Sequence, residues 1–435
     1  MRDTIGQTGN WVTVYGWVRV RRDHGKIVFI DLWDRTGILQ LVLTSEQAGD
    51  IRAGDVVSVT GQVKPRPHHL VNPNLGELGK VELEAKDPAT IISKSQEFPF
   101  DMGGKHLTVT LPTLLDYRSL VLRHPSVKPI FELQAQVAHA FRKSALSREC
   151  TEIFVPTLVA SATEGGAEVF EVSYYDSKVY LAQSPQLYKQ MMVGVFERVF
   201  TVAHAYRAEP SVTTRHLSEI VQMDMEFGFM VFEELLDELE RTAIDIVQCV
   251  EEQCADILTQ FDATVPKVGN KIPRVTLRKA QEILLAETGR DNRNEPDLTP
   301  EDERDLCAWS LKEHGSDFVT VTHFPTAKKP FYTRPDPKDP TYSLSFDLLG
   351  LGMEWSSGSQ RVHEYKELVS AITARGMDPK QFELYLQAFR HGMPPEGGFS
   401  FGLERLTMLI LGLKNIREAS LFPRDMERVD IRLHA

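Results

Sequence analysis

The stretch Val199–Met230, VFTVAHAYRAEPSVTTRHLSEIVQMDMEFGFM, contains two strand-like runs joined by a turn rich in Pro, Ser and Thr. Two such runs in succession predict a long antiparallel hairpin. The joining segment, Tyr206–Glu219, holds two arginines, a histidine and two glutamates. Positive charge concentrated at one end of a hairpin needs an explanation, because the whole chain carries a formal net charge of -12.

The 435-residue chain has the composition of a soluble globular protein of two or three domains, with 42% hydrophobic and 25% charged residues. Its amino terminus lacks an apolar signal segment, and the longest apolar stretches, such as LTMLILGL from Leu406, are much shorter than the roughly 20 residues of a membrane span. We therefore expect a cytoplasmic protein that does not bind a membrane. The four cysteines form no CxxC pair, which predicts reduced thiols rather than a zinc site.

The first part of the chain, residues 1–95, reads as five short strands with turn signals between them. Strand WVTVYGWVRV alternates valines with aromatic and basic residues, and Arg19, Arg21, Arg22 and Lys26 form a basic cluster. Five strands with such an outer face predict an OB-fold barrel that binds unpaired bases. A small β-barrel whose exposed aromatics pack on a neighbouring domain is the alternative.

The rest of the chain predicts a hinge or linker at residues 96–125 and a larger domain at 126–435, with a small insertion around 260–320. Helical periodicity begins near Val127, and further strand-like segments follow. The predicted fold class is therefore α+β, with a β-barrel followed by an antiparallel sheet flanked by helices.

The segment QSPQLYKQ follows a predicted strand and begins a helix, for which we predict Ser184 as N-cap and Pro185 as first residue. Gln186 and Lys189 are three positions apart, so they share one face of that helix near its amino terminus. A lysine beside free backbone N–H groups attracts a carboxylate. A solvated lysine is the alternative.

The charged hairpin suits a nucleotide. Arg207 and Glu209 are two positions apart on the predicted first strand and so share a face. An arginine holds a phosphate with two parallel hydrogen bonds, and a glutamate accepts one from the amino group of adenine. On the return strand, Asp224 is suited to an ammonium group. A cross-strand salt bridge is the alternative for each of these side chains.

Two further segments complete the predicted site. Asp347 and Glu354 flank the turn of a predicted hairpin, and two facing carboxylates with a cation between them suit Mg²⁺. Arg361 follows the small residues SSGS, where backbone can approach a ligand closely. Arg405 lies in the first turn of a helix, where a cation opposes the helix dipole unless an anion is bound.

The loop TEGGAE places Glu164 beside two glycines, Gly165 and Gly166. Such a loop suits a gate over a pocket, and it equally suits an ordinary flexible turn.

Taken in order, these segments resemble the class II aminoacyl-tRNA synthetases of subclass b, and among them the aspartyl-tRNA synthetases of the short archaeal type, which is also found in some bacteria. The three class II motifs correspond to FVPTLVAS, YRAE…RHLSEIVQMDME and GLERL, and QSPQLYKQ and SSGSQR correspond to subclass signatures. The resemblance extends over nearly the whole chain.

The resemblance implies a role for each candidate residue. Lys189 and Arg361 would bind the side-chain carboxylate of aspartate. The rest of the amino acid would contact Gln186, Asp224 and Glu164. The implied ligands of ATP are Arg207, Glu209, Arg215, His216, Glu354 and Arg405, of which Arg207, Glu354 and Arg405 are the catalytic residues. Asp347 and Glu354 would hold Mg²⁺, and Arg19, Phe29 and Gln40 would contact the tRNA anticodon. Ile220 stands where many relatives have an aromatic residue against the adenine, so stacking there should be weaker.

The implied activity is ATP-dependent ligation of L-aspartate to tRNA through aspartyl-adenylate. The resemblance also implies a homodimer formed around Pro156. Arg19 and the Pro/His-rich loop Lys64–His69 favour charging of both tRNA(Asp) and tRNA(Asn), which would make a tRNA-dependent amidotransferase a partner. The alternatives are an asparaginyl-tRNA synthetase and a non-catalytic tRNA-binding relative of these enzymes.

Overall fold

The computed structural model describes residues 1–160, 168–210, 213–269 and 271–433. The chain divides into two compact units, Met1–Ser126 and Val127–Ala435. None of the helices in these described ranges is long and apolar enough to cross a membrane.

The first unit is built mainly from six strands, with three short helices. Its elements are β1 Trp11–His24, β2 Ile27–Asp34, β3 Gly37–Thr44, α1 Ser45–Ala48, β4 Val56–Pro65, β5 Val81–Ala85, β6 Thr90–Ser93, α2 Leu111–Asp116 and α3 Arg118–Val121.

Five of these strands form the barrel that the sequence predicts. The strand order is β1-β2-β3-β5-β4, and β1 pairs with β4 as well, which closes the sheet. Alternate residues such as Val18, Ile30 and Leu41 fill the interior and are fully buried. The prediction of an OB-type barrel is therefore confirmed, and β6 adds a short strand beside β4 that was not predicted.

Two of the four residues of the basic cluster, Arg21 and Arg22, are paired within the first unit, contrary to the sequence-based expectation. The Arg22 guanidinium donates two hydrogen bonds to the Asp31 carboxylate, at 2.8 and 2.7 Å. Arg21 donates to Asp23 and to the backbone carbonyls of Gly49 and Ile51. Asp23 is a neighbour of Arg21 on β1, whereas the sequence misses the other partners because they lie on another strand and a loop.

The second unit has eleven strands and nine helices within the described residues. They are α4 Lys128–Ser147, β7 Thr151–Glu152, β8 Leu158–Val159, β9 Glu171–Tyr174, β10 Ser177–Leu181, α5 Gln186–Phe196, β11 Arg198–Tyr206, β12 Glu219–Gly228, α6 Phe232–Gln253, α7 Ala255–Gln260, β13 Arg274–Thr276, α8 Leu277–Thr288, α9 Pro300–His314, β14 Phe318–Thr322, β15 Ser345–Gly350, β16 Met353–Gln360, α10 Tyr365–Ala374, α11 Glu383–Arg390, β17 Glu396–Gly402 and α12 Leu403–Leu411.

Eight of these strands form one sheet in the order β13-β14-β15-β16-β17-β12-β11-β7. Its neighbouring strands are antiparallel except for the pairs β11–β7 and β13–β14. The predicted hairpin is present as β11 and β12, which pair from Arg198 with Phe227 to Tyr206 with Glu219. The segment predicted as an insertion contributes β13 and β14 to this sheet and carries α8 and α9.

Strand β12 separates the core from the site through its alternation. Met223, Met225 and Phe227 are fully buried in the hydrophobic core that the sheet shares with α4 and α6. The intervening residues Asp224 and Glu226 therefore point to the other side of the sheet. Because the apolar face of β12 is buried in the core, the carboxylates of Asp224 and Glu226 must lie on the opposite face of the sheet.

Two local predictions were wrong. Helix α5 begins at Gln186 with Pro185 at its N-cap, so the cap lies one residue later than predicted. Strand β11 ends at Tyr206, so Arg207 and Glu209 lie beyond it.

Candidate active site

Two cavities adjoin on the face of the sheet formed by β12, β15, β16 and β17. The larger has a volume of about 350 Å³ and the smaller about 190 Å³. Both are lined by Arg207, Gln222, Ser357 and Ser400. The structure thus brings the predicted nucleotide and amino-acid residues to one continuous depression with Arg207 at its middle.

The smaller cavity contains Gln186, Lys189, Asp224 and Arg361, four of the five residues predicted to bind an amino acid. The fifth, Glu164, lies outside the described residues. The Lys189 ammonium, which is fully buried, lies 2.7 Å from Asp224 Oδ1 and 3.1 Å from Glu226 Oε2.

Arg361 is held from several sides. Its Nε and Nη2 donate to Glu226 Oε1 and Oε2, at 2.6 and 3.1 Å. Nη2 also donates to the Gly398 carbonyl at 3.0 Å, and Nη1 donates to Ser359 Oγ at 2.6 Å. Although burial opposes a charge on Glu226, Arg361 and Lys189 hold the pKa of that carboxyl below its ordinary value. Glu226 is thus the anion that allows two cations to be buried together.

Counting donors shows what the smaller cavity can bind. An ammonium has three N–H bonds and a guanidinium five. Lys189 uses two in the contacts described above and Arg361 uses four. Each cation therefore keeps one N–H bond that no described residue accepts. Two cationic donors in a space of about 190 Å³ suit a small carboxylate.

Buried hydrogen bonds outside the cavity hold the side-chain amide of Gln186 in one orientation. Its Nε2 donates to Gln190 Oε1 at 3.0 Å, and Tyr385 Oη donates to the same oxygen at 3.2 Å. Gln190 Nε2 donates in turn to Glu396 Oε1 at 2.9 Å. These side chains are buried.

The larger cavity is lined by every side chain predicted to contact ATP: Arg207, Glu209, Arg215, His216, Glu354 and Arg405. Two of its arginines are paired with carboxylates. Arg215 Nη1 lies 3.3 Å from Glu303 Oε2, and Arg405 Nη1 lies 3.4 Å from Glu354 Oε2. Burial and the nearby charge of Glu354 raise the pKa of Glu303 from 4.5 to about 7.

The apolar wall of the larger cavity includes Leu217, Ile220, Ile416 and Trp355. Ile220 packs with Leu217 and Ile416 in one small cluster. The indole of Trp355 is almost completely buried and lies edge-on to Phe318, with ring centroids 4.8 Å apart. Ile220 therefore forms part of the apolar wall of the larger cavity, at the position where the sequence predicted that adenine would stack more weakly than on an aromatic residue.

The two carboxylates predicted to bind a metal share a hairpin, although they are not cross-strand partners. Asp347 pairs with Ser357, whereas Glu354 pairs with Leu349, two residues from Asp347 on the same strand. Burial raises the pKa of Asp347 to about 7, and the charge of Glu354 adds to that shift.

A cation partly compensates Asp347. Lys329 Nζ lies 3.6 Å from Asp347 Oδ1, and this oxygen is buried without a hydrogen-bond partner among the described residues. No group of three or more metal-ligating side chains occurs in the described part of the chain. Two carboxylates, one of them with an unsatisfied oxygen, fit a Mg²⁺ ion whose other ligands are water and phosphate.

The three predicted anticodon-contacting residues lie in the first unit. Phe29 contacts the His24 ring edge-on, with centroids 5.6 Å apart. Gln40 is buried, and its Nε2 donates to Glu82 Oε2 at 2.9 Å. Arg19 is half-buried, which lowers the pKa of its guanidinium, and its Nε has no hydrogen-bond partner among the described residues.

Sequence reasoning missed five charged residues of the second-unit site: Glu226, Glu303, Lys329, Glu396 and Glu404. Glu226 could have been found, because it lies two positions after Asp224 and therefore on the same face of a strand. Glu404 could have been found as well, because it directly precedes Arg405 in the GLERL motif. The other three come from segments whose local sequence carries no signal for this site.

Comparison with known proteins gives consistent matches. Residues 110–426 match the family of class II tRNA synthetases (D, K and N), and residues 12–87 match the OB-fold nucleic acid binding domain. An aspartate–tRNA(Asp/Asn) ligase of Thermus thermophilus is 38% identical over 430 residues, 99% of each chain. One of Archaeoglobus fulgidus is 39% identical over 433 residues, 97% of this chain and 96% of the relative.

Solved structures match over a similar length. The asparaginyl-tRNA synthetase of Pyrococcus horikoshii, in complex with asparaginyl-adenylate, superimposes with a TM-score of 0.87 at 30% identity, covering 98% of this chain and 97% of that one. The aspartyl tRNA synthetase of Entamoeba histolytica gives a TM-score of 0.85 at 30% identity, covering 98% of this chain and 90% of that one.

Proposed function

The chain belongs to the class II tRNA synthetases of the aspartate, lysine and asparagine group, and we propose that its two adjoining cavities catalyse the ATP-dependent ligation of L-aspartate to tRNA. The two relatives of 38% and 39% identity described above, which match nearly the full chain, are aspartate–tRNA(Asp/Asn) ligases. The smaller cavity is the proposed amino-acid site and the larger one the proposed ATP site.

The observation that carries the choice of aspartate is the pair of uncommitted N–H bonds on Lys189 and Arg361. A carboxylate accepts a charge-assisted hydrogen bond from both cations. The side-chain amide of asparagine is neutral and presents an NH₂ group, which would face a cationic donor. A buried donor that faces another donor is left unpaired, which is unfavourable by about 1–3 kcal/mol. Aspartate is therefore the better ligand, although the same fold also occurs in an asparaginyl-tRNA synthetase.

The proposed reaction needs no protein nucleophile. The α-carboxylate oxygen of aspartate attacks the α-phosphorus of ATP, and the bond to the β-phosphate breaks to release pyrophosphate. Arg207 lines both cavities, so we assign it to the α-phosphate, where negative charge develops in the transition state. Asp224 is assigned to the α-ammonium group of aspartate. These contacts act mainly by positioning the reactants.

The remaining residues of the larger cavity are assigned to the rest of ATP. Glu209 would accept from the adenine amino group, and Arg215, His216 and Arg405 would neutralise the outer phosphates. Asp347 and Glu354 would hold Mg²⁺, which, when bound, neutralises charge on the phosphates and the departing pyrophosphate. A ribose hydroxyl at the 3′ end of tRNA then attacks the carbonyl carbon of aspartyl-adenylate and releases AMP.

The choice of tRNA follows from the relatives. Their names give both tRNA(Asp) and tRNA(Asn) as acceptors, and we propose the same relaxed choice for this chain. The contacts of Phe29, Gln40 and Arg19 with the anticodon belong to this proposal, as does a tRNA-dependent amidotransferase that would convert aspartyl-tRNA(Asn). A homodimer that includes the region of Pro156 also remains a proposal.

The test is aminoacylation of purified tRNA(Asp) and tRNA(Asn) transcripts with labelled aspartate. We expect both to be charged. Charging of tRNA(Asp) alone would contradict the relaxed choice and leave the aspartate ligase activity intact, whereas charging of neither would contradict the proposed function.

A further inference from the structure

A buried glutamate behind the amino-acid cavity has no role in the assignments above. Glu396, the first residue of β17, is 0% exposed. Among the described residues its Oε1 accepts one hydrogen bond, from Gln190, and its Oε2 is buried without a hydrogen-bond partner. The ion pairs of Lys189 and Arg361 with described residues go to Asp224 and Glu226 instead. An ionised carboxylate in this position would carry a buried charge with one oxygen unsatisfied.

Glu396 is nevertheless connected to the amino-acid cavity. Gln190 donates to Glu396 Oε1 and receives hydrogen bonds from Gln186 and Tyr385 on its own amide oxygen. The orientation of the Gln190 amide is thus fixed at both ends, and it fixes Gln186, which lines the cavity. A change in the protonation of Glu396 would therefore act on the bound amino acid through the hydrogen bonds of Gln190 and Gln186.

The charge balance of the cavity depends on this residue. Lys189 and Arg361 supply two positive charges, and Asp224 and Glu226 supply two negative ones. If Glu396 is neutral, the charges of these four groups sum to zero, Arg207 and Lys329 in the cavity lining add positive charge, and the two uncommitted N–H bonds are available to a carboxylate. If Glu396 is ionised, the cavity gains a negative charge that repels the side chain of aspartate but not that of asparagine.

We propose that Glu396 is held as a neutral carboxylic acid and is a positioning residue that sets the selectivity of the cavity for aspartate over asparagine. This inference rests on the proposed function and concerns the same site. Glu396 contacts substrate only through Gln190 and Gln186.

The groups that face Glu396 support its neutral state. They are Glu226 on β12, Arg361 at the end of β16, Lys189 and Gln190 on α5, and Tyr385 on α11. Burial, with the negative charge of Glu226 second, raises the pKa of Glu396 well above its usual range, and Arg361 and Lys189 offset this only in part. Burial also raises the pKa of Tyr385, so its hydroxyl remains a donor to Gln190.

The experiment compares wild type, Glu396→Gln and Tyr385→Phe in amino-acid-dependent ATP–pyrophosphate exchange, with aspartate and with asparagine, from neutral to alkaline pH. The readout is the ratio of kcat/KM for the two amino acids, because groups that act on both substrates cancel. In the wild type, we expect this ratio to fall by about tenfold per pH unit once Glu396 ionises. Glu396→Gln should match the wild-type ratio at neutral pH within about threefold and keep it at alkaline pH.

Tyr385→Phe is the matched control. It removes a donor to Gln190 without a change of charge, so it should raise KM for both amino acids alike and leave the pH dependence of the ratio in place. A direct readout is the infrared difference spectrum of wild type minus Glu396→Gln at neutral pH, which should contain the C=O stretch of a protonated carboxyl group.

Several outcomes would overturn the inference: the same pH dependence of the ratio in the wild type and in Glu396→Gln, a ratio that rises in Glu396→Gln at neutral pH, or the absence of the protonated-carboxyl band. If Glu396→Gln does not fold, Glu396→Met, which is also uncharged, takes its place in the same comparisons. A wild-type protein without any aspartate-dependent exchange would contradict the proposed function itself, which separates the two failures.

Discussion

The guanidinium of Arg361 and the carboxylate of Glu226 form a two-point ion pair beneath the amino-acid cavity, with Nε to Oε1 at 2.6 Å and Nη2 to Oε2 at 3.1 Å. Glu226 also lies 3.1 Å from Lys189 Nζ. One carboxylate thus holds both of the cations assigned to the substrate. The site is consequently built before any substrate binds, and its affinity for a carboxylate depends on a residue that no substrate touches.

Glu226→Gln should destabilise the protein strongly, because it leaves Arg361 and Lys189 buried with one anion fewer. Removal of one partner of a buried ion pair costs roughly 3–5 kcal/mol. We expect a loss of that order in the free energy of unfolding measured by urea denaturation. Saturating aspartate should restore part of it and asparagine should not. Glu282→Gln, which breaks an exposed pair with Lys279, is the control and should leave stability unchanged.

Glu303→Gln should strengthen ATP binding. In the described structure Glu303 pairs with Arg215, which ATP must engage through its outer phosphates. The partly exposed pair of Glu303 with Arg215 competes with ATP and stabilises the ATP-free state by about 1 kcal/mol. Without it, KM for ATP should fall about fivefold with little change in kcat. Glu301→Gln, on the same helix and paired with Arg290, is the matched variant and should have no effect. A rise in KM for ATP in Glu303→Gln would show that Glu303 supports ATP binding.

Ile220→Phe should also lower KM for ATP, for a different reason. Ile220 lines the larger cavity, and its side chain is aliphatic where an aromatic ring could stack on adenine. Stacking of a base on an aromatic side chain contributes roughly 1–3 kcal/mol, so a decrease of about fivefold or more is expected in exchange kinetics. Ile220→Leu separates stacking from a simple change of shape. Equal effects of Phe and Leu would contradict the assignment of this wall to adenine.

Asp347→Asn should weaken metal binding. Asp347 Oδ1 is buried without a hydrogen-bond partner among the described residues, and its charge is the one best placed to join Glu354 on a cation. Electron paramagnetic resonance of Mn²⁺ in the presence of ATP should show an apparent Kd at least about tenfold higher than in the wild type. Asp339→Asn, in an exposed turn of the same segment, serves as control. Unchanged Mn²⁺ affinity in Asp347→Asn would remove this residue from the metal site.

The sequence predicted those parts of the site that depend on local pattern. Alternation along β11 and β12 predicted the hairpin, and the same alternation places Asp224 opposite the core methionines. The helix that begins at Gln186 fixed the spacing of Gln186 and Lys189. Resemblance to a known family then supplied the roles, because no local pattern states which ligand a lysine binds.

Apart from the local boundaries at Pro185 and Tyr206, the parts that failed depend on contacts between segments far apart in the chain. Glu303 meets Arg215 across 88 residues, and Glu396 meets Gln190 across 206. Arg22 likewise reads as a free cation until β2 brings Asp31 beside it. The sequence pattern predicts on which face of a strand a side chain lies. The residue that it contacts on that face can be identified only from the folded structure.

ATP–pyrophosphate exchange at neutral pH with L-aspartate and L-asparagine in parallel tests most directly whether Lys189 and Arg361 select a carboxylate. We predict exchange that depends on aspartate, with kcat/KM for asparagine lower by at least about a hundredfold, since a buried site built for one polar group strongly rejects its analogue. Exchange that depends on asparagine alone, or equally on both amino acids, would contradict this selection.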